Sequence, residues 1–293
     1  MPPAKAYFAL AALTRRKQLA AIHREQGLDR LFKMRVFLER KMLEEIQHNS
    51  DRLSIMSEAT KESFFGNSKK QGVSIRYALA SCVPTNRCGG RCYAHDGRDR
   101  ELQHVFRGVL NYFVGVSYEH GTSVIRGKIM ALLSKAIDKA IAAAILDQKS
   151  ALVLGFQRLP RIRFSHVGEM AFTPNFTNHL AAEIQSRDPT IKCVIYTRHP
   201  KAAQLNTKLL VVNFTVEGSS DKRLSYAPGG ARLVNSSWDG VLNESAEINF
   251  LEHHVQDVRS GIGTGTVCPV TMHHKSTPSC DLARCEKCFV STQ

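Results

Sequence analysis

Apolar residues recur every three to four positions through much of the chain's first half, and gather into short, nearly continuous runs through its second half. Over residues 122–146, Ile129, Leu133, Ile137, Ile141 and Ile145 fall four apart with alanines between them, which predicts a helix with one buried stripe. Residues 100–114 carry a second helical pattern. Residues 4–50 carry a third, in which Leu31, Met34, Leu38 and Met42 form the stripe and Arg35, Glu39, Arg40 and Glu44 lie on other faces. Gly27 is expected to separate two helices there. The polar, Gly-interrupted stretch 60–73 reads as a loop. From Val73 the texture changes: residues 73–80, 161–166, 191–197, 209–216, 232–236 and 246–251 read as strands, with helices at 177–186 and 200–208. The run 209–216 (LLVVNFTV) is apolar almost throughout, as in a strand covered on both faces.

Strands alternating with helices predict an α/β fold with a parallel sheet and right-handed crossovers, as a full or partial β/α barrel or as an open sheet. The expected organisation is an N-terminal helical extension (1–60), a β/α domain (73–255) and a small cysteine-rich C-terminal lobe (261–293), led in by the Gly-rich GIGTGT. A length of 293 residues suffices for one large domain or two small ones without disulfides. The composition, 43% hydrophobic and 23% charged, is that of a globular chain, and no apolar run approaches the roughly 20 residues of a membrane helix. No membrane partner is therefore expected. The short apolar run 6–13 has only Lys5 before it and Arg15, Arg16 and Lys17 after it, the reverse of a secretory signal, so the chain reads as cytoplasmic. The net charge of +14 favours anionic partners, nucleic acid among them, although the excess is spread along the chain rather than gathered into one stripe.

The cysteines change the picture most. Seven of the eight fall in two clusters. Cys82, Cys88 and Cys92 form a C-x5-C-x3-C loop directly after the first strand of the α/β region. Cys268, Cys280, Cys285 and Cys288 lie in the C-terminal lobe. Cys193 stands alone inside a strand and reads as a small core residue. Close thiolates in a reducing compartment point to metal rather than disulfides. The tail quartet satisfies either a structural zinc or a four-iron cluster. Three thiolates suit a four-iron cluster with one open iron; a zinc there would recruit a fourth ligand, His95 or His166. In parallel α/β folds ligands bind at the carboxyl ends of strands, so the first cluster is placed for chemistry and the second for structure or electron relay. Gly261-x-Gly-x-Gly lacks the spacing and helix of a dinucleotide loop. The His253-His254 and His273-His274 pairs read as surface residues.

A three-cysteine loop after a first strand, followed by a later strand ending in Gly168-Glu169, resembles the radical S-adenosylmethionine (SAM) superfamily. Residues 75–290 are more closely similar to the phage and plasmid "gene product 88"-like family. The similarity rests on Cys92-Tyr93-Ala94 followed by Gly97-Arg98, on Gly168-Glu169, on Tyr196-Thr197-Arg198 at a strand end, and on Cys268-Pro269 opening the tail group. The resemblance implies a partial (β/α) barrel of radical-SAM type. It implies a 4Fe-4S cluster on Cys82, Cys88 and Cys92, and one more cluster or a zinc on Cys268, Cys280, Cys285 and Cys288. S-adenosyl-L-methionine would be the second cofactor, its amino group received at Gly168 and Glu169, with Asn213 and Thr215 placed toward ribose and Arg198 toward a carboxylate or phosphate. It supplies no substrate.

The loop departs from the superfamily's usual C-x3-C-x2-C spacing, and Arg91 stands where an aromatic residue usually precedes the last cysteine. Two readings follow. One is an iron–sulfur enzyme that cleaves SAM reductively and needs an electron donor. The other is a non-catalytic, iron–sulfur- or zinc-stabilised nucleic-acid-binding or regulatory protein of a mobile element. Each non-cysteine candidate also has a plainer expectation: Glu169 as a cap for the next helical turn, Asn213 as a satisfied polar group in the sheet, Arg198 as a solvated charge.

Overall fold

The computed structural model describes residues 16–48, 54–55, 57, 64–68, 72–84, 102–153, 159–237, 243, 245–251 and 266–267. The chain divides into two compact units, one of Met1–Gly66, Ile75–Asp138 and Ser165–Phe176, the other of Asn67–Ser74, Lys139–Phe164 and Thr177–Gln293. Among the described residues no helix is long and apolar enough to cross a membrane.

The second unit is built on an α/β sheet of strands β1 (Phe65–Ser68), β2 (Gly72–Ile75), β3 (Arg161–Phe164), β4 (Lys192–Thr197), β5 (Val211–Val216), β6 (Arg232–Ser237), β7 (Ile248–Leu251) and β8 (Thr266–Val267). Spatial order follows chain order from β1 to β8, and every pairing from β2 to β8 is parallel. The order runs in one direction, without the reversal that marks a doubly wound sheet. The register sets Ile162 beside Cys193 and Ile195 beside Val212. With side chains alternating along each strand, one face over β3–β5 carries Ile162, Phe164, Cys193, Ile195, Val212, Phe214 and Val216, each at most 2% exposed. Cys193 is thus the core residue expected, and burial pushes its thiol up to about 12.

The first unit contains helices α1 (Arg16–Gln47) and α2 (Leu102–Glu119), and the start of α3 (Ser123–Val153), with Ile129, Leu133 and Ile137 fully buried. Helix α4 (Pro174–Arg187) begins where this unit ends and follows the one-turn 3₁₀ helix Met170–Phe172. The core here is aromatic: Tyr112 packs at 5.8 Å from Tyr77 and 5.3 Å from Phe172, and Phe176 at 6.0 Å from Phe64 and 5.3 Å from Tyr118. Asn111 ties α2 to the chain before and after β2, its amide donating to the Phe64 and Arg76 carbonyls at 3.0 Å each.

Several sequence expectations need correction. Helix α1 runs unbroken through Gly27, because one interior glycine costs only about 1 kcal/mol. Among its described side chains the buried ones are Phe32, Arg35, Glu39, Met42, Leu43 and Ile46, while Met34 of the expected stripe is 36% exposed. The stretch 60–73, read as a loop, contains β1 and the start of β2. The strand expected over 73–80 ends at Ile75 and that over 161–166 at Phe164. The helix expected over 200–208 is a short 3₁₀ turn, Pro200–Gln204.

Gly115 on α2 permits the closest approach in the first unit. A Cβ there would lie 2.0 Å from the Tyr77 hydroxyl, which shares a hydrogen bond of 3.1 Å with Thr173 Oγ1. Gly115→Ala should destabilise by about 2 kcal/mol through overpacking, and Tyr77→Phe by about 1 kcal/mol through the lost hydrogen bond. Since the hydroxyl is the nearest obstacle, the double variant should be more stable than the sum of the two losses allows. Strict additivity in urea unfolding would contradict this contact.

Candidate functional site

Chain leaving β2 is held by chain leaving β3. The His166 amide donates to the Ile75 carbonyl and the Tyr77 amide to the Val167 carbonyl, both at 2.7 Å. On either side of these contacts the second segment turns sharply: Ser165 has φ 63° and Gly168 φ 74°. A Cβ on Gly168 would lie 2.6 Å from the Ala78 carbonyl oxygen and 2.7 Å from the Tyr77 backbone, so both its φ and its surroundings demand glycine. Ser165 is kept in its left-handed conformation by a local bond, its Oγ accepting from the Met170 amide at 2.6 Å.

Ser81 completes the connection. Its hydroxyl donates to the Ala78 carbonyl at 2.6 Å and accepts from the Glu169 amide at 2.8 Å. The next residue is Cys82, whose amide closes the one-turn 3₁₀ helix Leu79–Ser81 by donating to Leu79 at 2.9 Å. Cys82 is half-buried and packs with Val36 against Phe32, Leu79 and Val167. The sequence-predicted Cys82, Gly168 and Glu169 are therefore neighbours in one unit, joined through Ser81.

Helix α1 anchors this turn from outside. Glu39 is fully buried; its Oε1 accepts from Arg35 Nε at 2.9 Å and its Oε2 from the Ala80 amide at 2.9 Å. Burial pushes the Glu39 carboxyl up, against Arg35 and the amides of Ala80 and Leu79, which favour its charged form. Arg35 and Glu39, expected off the apolar stripe, are thus inside and set the approach to Cys82. The signal was present in the sequence: Phe32, Val36, Leu43 and Ile46 also make a helical stripe, and it encloses this Arg–Glu pair.

The other candidates belong to the second unit. Asn213 on β5 is fully buried, and Thr215 lies two residues on, on the same face and partly exposed. Arg198 follows β4, but it is not a solvated charge: its Nη1 meets Glu217 Oε1 at 2.8 Å with both side chains largely buried. Arg223 lies 3.8 Å from Glu217 and pairs closely with Asp221. Burial works against the Asp221 carboxylate, yet hydrogen bonds from Arg223 and the Glu217 amide outweigh it and hold it at about 2. Glu169 sits at the N-cap of Met170–Phe172, the capping position expected, though without a side-chain cap bond.

Cys88, Cys92, Cys268, Cys280, Cys285, Cys288 and His95 lie outside the described residues. Among the described residues no three His, Cys, Asp or Glu side chains gather as a metal site. The chain matches no family model, no curated protein and no solved structure.

Two outcomes follow. Glu39→Ala should cost about 3–5 kcal/mol, since it strands Arg35 and the Ala80 amide, whereas Glu39→Gln keeps an acceptor and should cost less; equal losses in urea unfolding would remove Ala80 from the account. His199, which caps Pro200–Gln204 by accepting from the Lys201 amide at 3.1 Å, is pushed down to about 4 by burial and by Lys201. Its imidazole stays neutral in the native state where the unfolded chain takes up a proton. Stability should therefore fall as pH drops from 6.5 toward 4, by on the order of 2 kcal/mol. His199→Gln should flatten that part of the stability profile.

Proposed function

We propose that this is an iron–sulfur protein of radical-SAM type, built on a partial (β/α) barrel. The observation that carries the reading is the joining of the Cys82 turn to the Gly168-Glu169 turn through Ser81. These are the segments that follow the first two strands of the parallel series, where that superfamily holds its cluster and the SAM amino group. The one-way parallel order supports the barrel type. Cys82 suits a ligand role: it ends a fixed turn, half-buried against apolar side chains, which shelter a centre from water, while Val83 and Pro84 after it are exposed.

In this reading Cys82, Cys88 and Cys92 hold a 4Fe-4S cluster, and Cys268, Cys280, Cys285 and Cys288 hold a second cluster or a zinc. Such a cluster, when bound, would supply one electron from an external donor for reductive cleavage of SAM. Gly168 lets this turn close directly against the Tyr77–Ala78 backbone, and Glu169 offers a carboxylate to the SAM amino group. Arg198, already paired with Glu217 at 2.8 Å, is left out of these contacts.

The test is iron, zinc and acid-labile sulfide per chain after anaerobic purification, with SAM titrated into the reduced protein. About eight iron with matching sulfide is expected for two four-iron clusters, or about four with one zinc. Cys82→Ala should remove one cluster and leave the tail site filled, and SAM should perturb the spectrum of the wild-type protein but not that of the variant. Zinc alone, or a reduced cluster indifferent to SAM, would overturn the enzyme reading and favour a metal-stabilised binding protein.

A further inference from the structure

The sheet carries its charge on one side. Strands β2–β7 (GVSI, RIRF, KCVIYT, VVNFTV, RLVNSS, INFL) contain Arg161, Arg163, Lys192 and Arg232 but no aspartate or glutamate. The register puts all four cations on the same face. Arg161 pairs with Lys192, Arg163 with Val194, Val194 with Val211, Tyr196 with Asn213, and Asn213 with Arg232. Ser74 joins them beside Arg163. Over β3–β5 the partly exposed positions are Arg163, Lys192, Tyr196 and Thr215, every one on this face. The opposite face is the apolar one described above.

Parallel strands covered on both sides are ordinarily apolar throughout, and setting Arg161 directly beside Lys192 costs energy through like-charge repulsion. On this face, five adjacent strands each present one polar side chain along a diagonal: Ser74, Arg163, Tyr196, Asn213 and Arg232. Valines 194, 211 and 234 flank that diagonal. The Arg163 guanidinium is held 4.8 Å over the Tyr196 ring, and its buried Nε makes no hydrogen bond among the described residues. Arg232 is oriented from outside the strands by Glu247 at 3.1 Å. Two oriented guanidiniums with an amide and a phenol between them, set in apolar walls, make a small-ligand site for a multiply charged anion.

We propose that this face binds a phosphate ester, with Arg163 as its principal contact, Arg232 as the second, and Tyr196 and Asn213 as hydrogen-bonding groups. Guanidinium matches phosphate oxygens in a bidentate fashion, and the strands β2–β7 bring four cations to this face with no acid of their own. The site is independent of which metal the cysteines hold.

The probes are 5′-AMP, followed calorimetrically, and a short fluorescein-labelled single-stranded DNA, followed by anisotropy, both with the full chain. Saturable binding of the mononucleotide identifies a free nucleotide as the source of the phosphate; binding of the strand alone identifies a nucleic-acid backbone. Arg163→Gln should weaken whichever binds by about tenfold or more, as expected for losing a charge-assisted contact, and Arg163→Lys should recover only part of it. Lys208→Gln, on the exposed surface away from the strands, should leave affinity unchanged. Lys192→Glu alters a half-exposed strand end on the same face and reads the site out even where the Arg163 variant fails to fold; it should weaken binding several-fold. Absence of binding to both probes, affinity unmoved by Arg163→Gln or Lys192→Glu, or an equal loss with Lys208→Gln would overturn the proposal.

Discussion

The approach to the cysteine loop depends on one buried carboxylate. A single turn of 3₁₀ helix such as Leu79–Ser81 has too few internal hydrogen bonds to fix itself. What fixes it is Glu39, reaching from α1 to the Ala80 amide at 2.9 Å while Arg35 balances its charge at the same distance. An isolated buried ion pair contributes little net stability, because desolvation offsets the Coulombic attraction. This one also satisfies a buried backbone donor that has no helical carbonyl to use. Its effect is positional: it determines where Cys82 begins and, through Ser81, where the Gly168-Glu169 turn lies. The N-terminal helix, which no motif marks, is therefore part of the site's framework.

Much of the fold was legible because it follows local periodicity. The four-residue spacing from Ile129 to Ile137 marked the stripe of α3, and the nearly continuous apolar runs in β4 and β5 marked covered parallel strands. The errors have local causes. Strand β1 is four residues of FGNS, with none of the β-branched or aromatic alternation that identifies a strand beyond its first residue. In α1, two interleaved stripes were available, and the wrong one was more apolar. The correct stripe contains a charged pair that only a distant partner makes tolerable, and that partner, Ala80, lies 41 residues away. The candidate site divides in the same way. Cys82, Gly168 and Glu169 were visible as residue types at strand ends, whereas Ser81, which links them across 88 residues, carries no signal of its own.

The turn after β3 concentrates strain and relieves it locally. A left-handed serine costs roughly 1–2 kcal/mol, and one follows the strand within a single residue of its end. The compensation is specific: Ser165 Oγ takes the Met170 amide, and the flanking His166 and Val167 bond the chain leaving β2. Strained backbone of this kind persists only where surrounding contacts over-determine it, and it clusters where a fold positions chemistry. Cysteine identity alone makes no such distinction. Cys193 has a thiol pushed up to about 12 in a dry core and is inert, while Cys82 ends a held turn at half exposure.

The same logic explains which side of the sheet faces chemistry. Side chains alternate with a period of two, so a one-residue slip in any pairing would exchange the faces. Ile162, Phe164, Ile195, Val212 and Phe214 would leave the core, and Arg163, Tyr196 and Asn213 would enter it. Each fully buried aliphatic or aromatic side chain is worth about 1.5–3 kcal/mol of burial, far more than any single polar contact on the other face. The apolar alternation therefore locks the register, and the register in turn aligns Tyr196, Asn213 and Arg232 in one row across three strands. The polar constellation is a by-product of core packing in its position, though not in its composition: hydrophobic burial decides where those residues point, and it leaves their identity to be set by what the face meets.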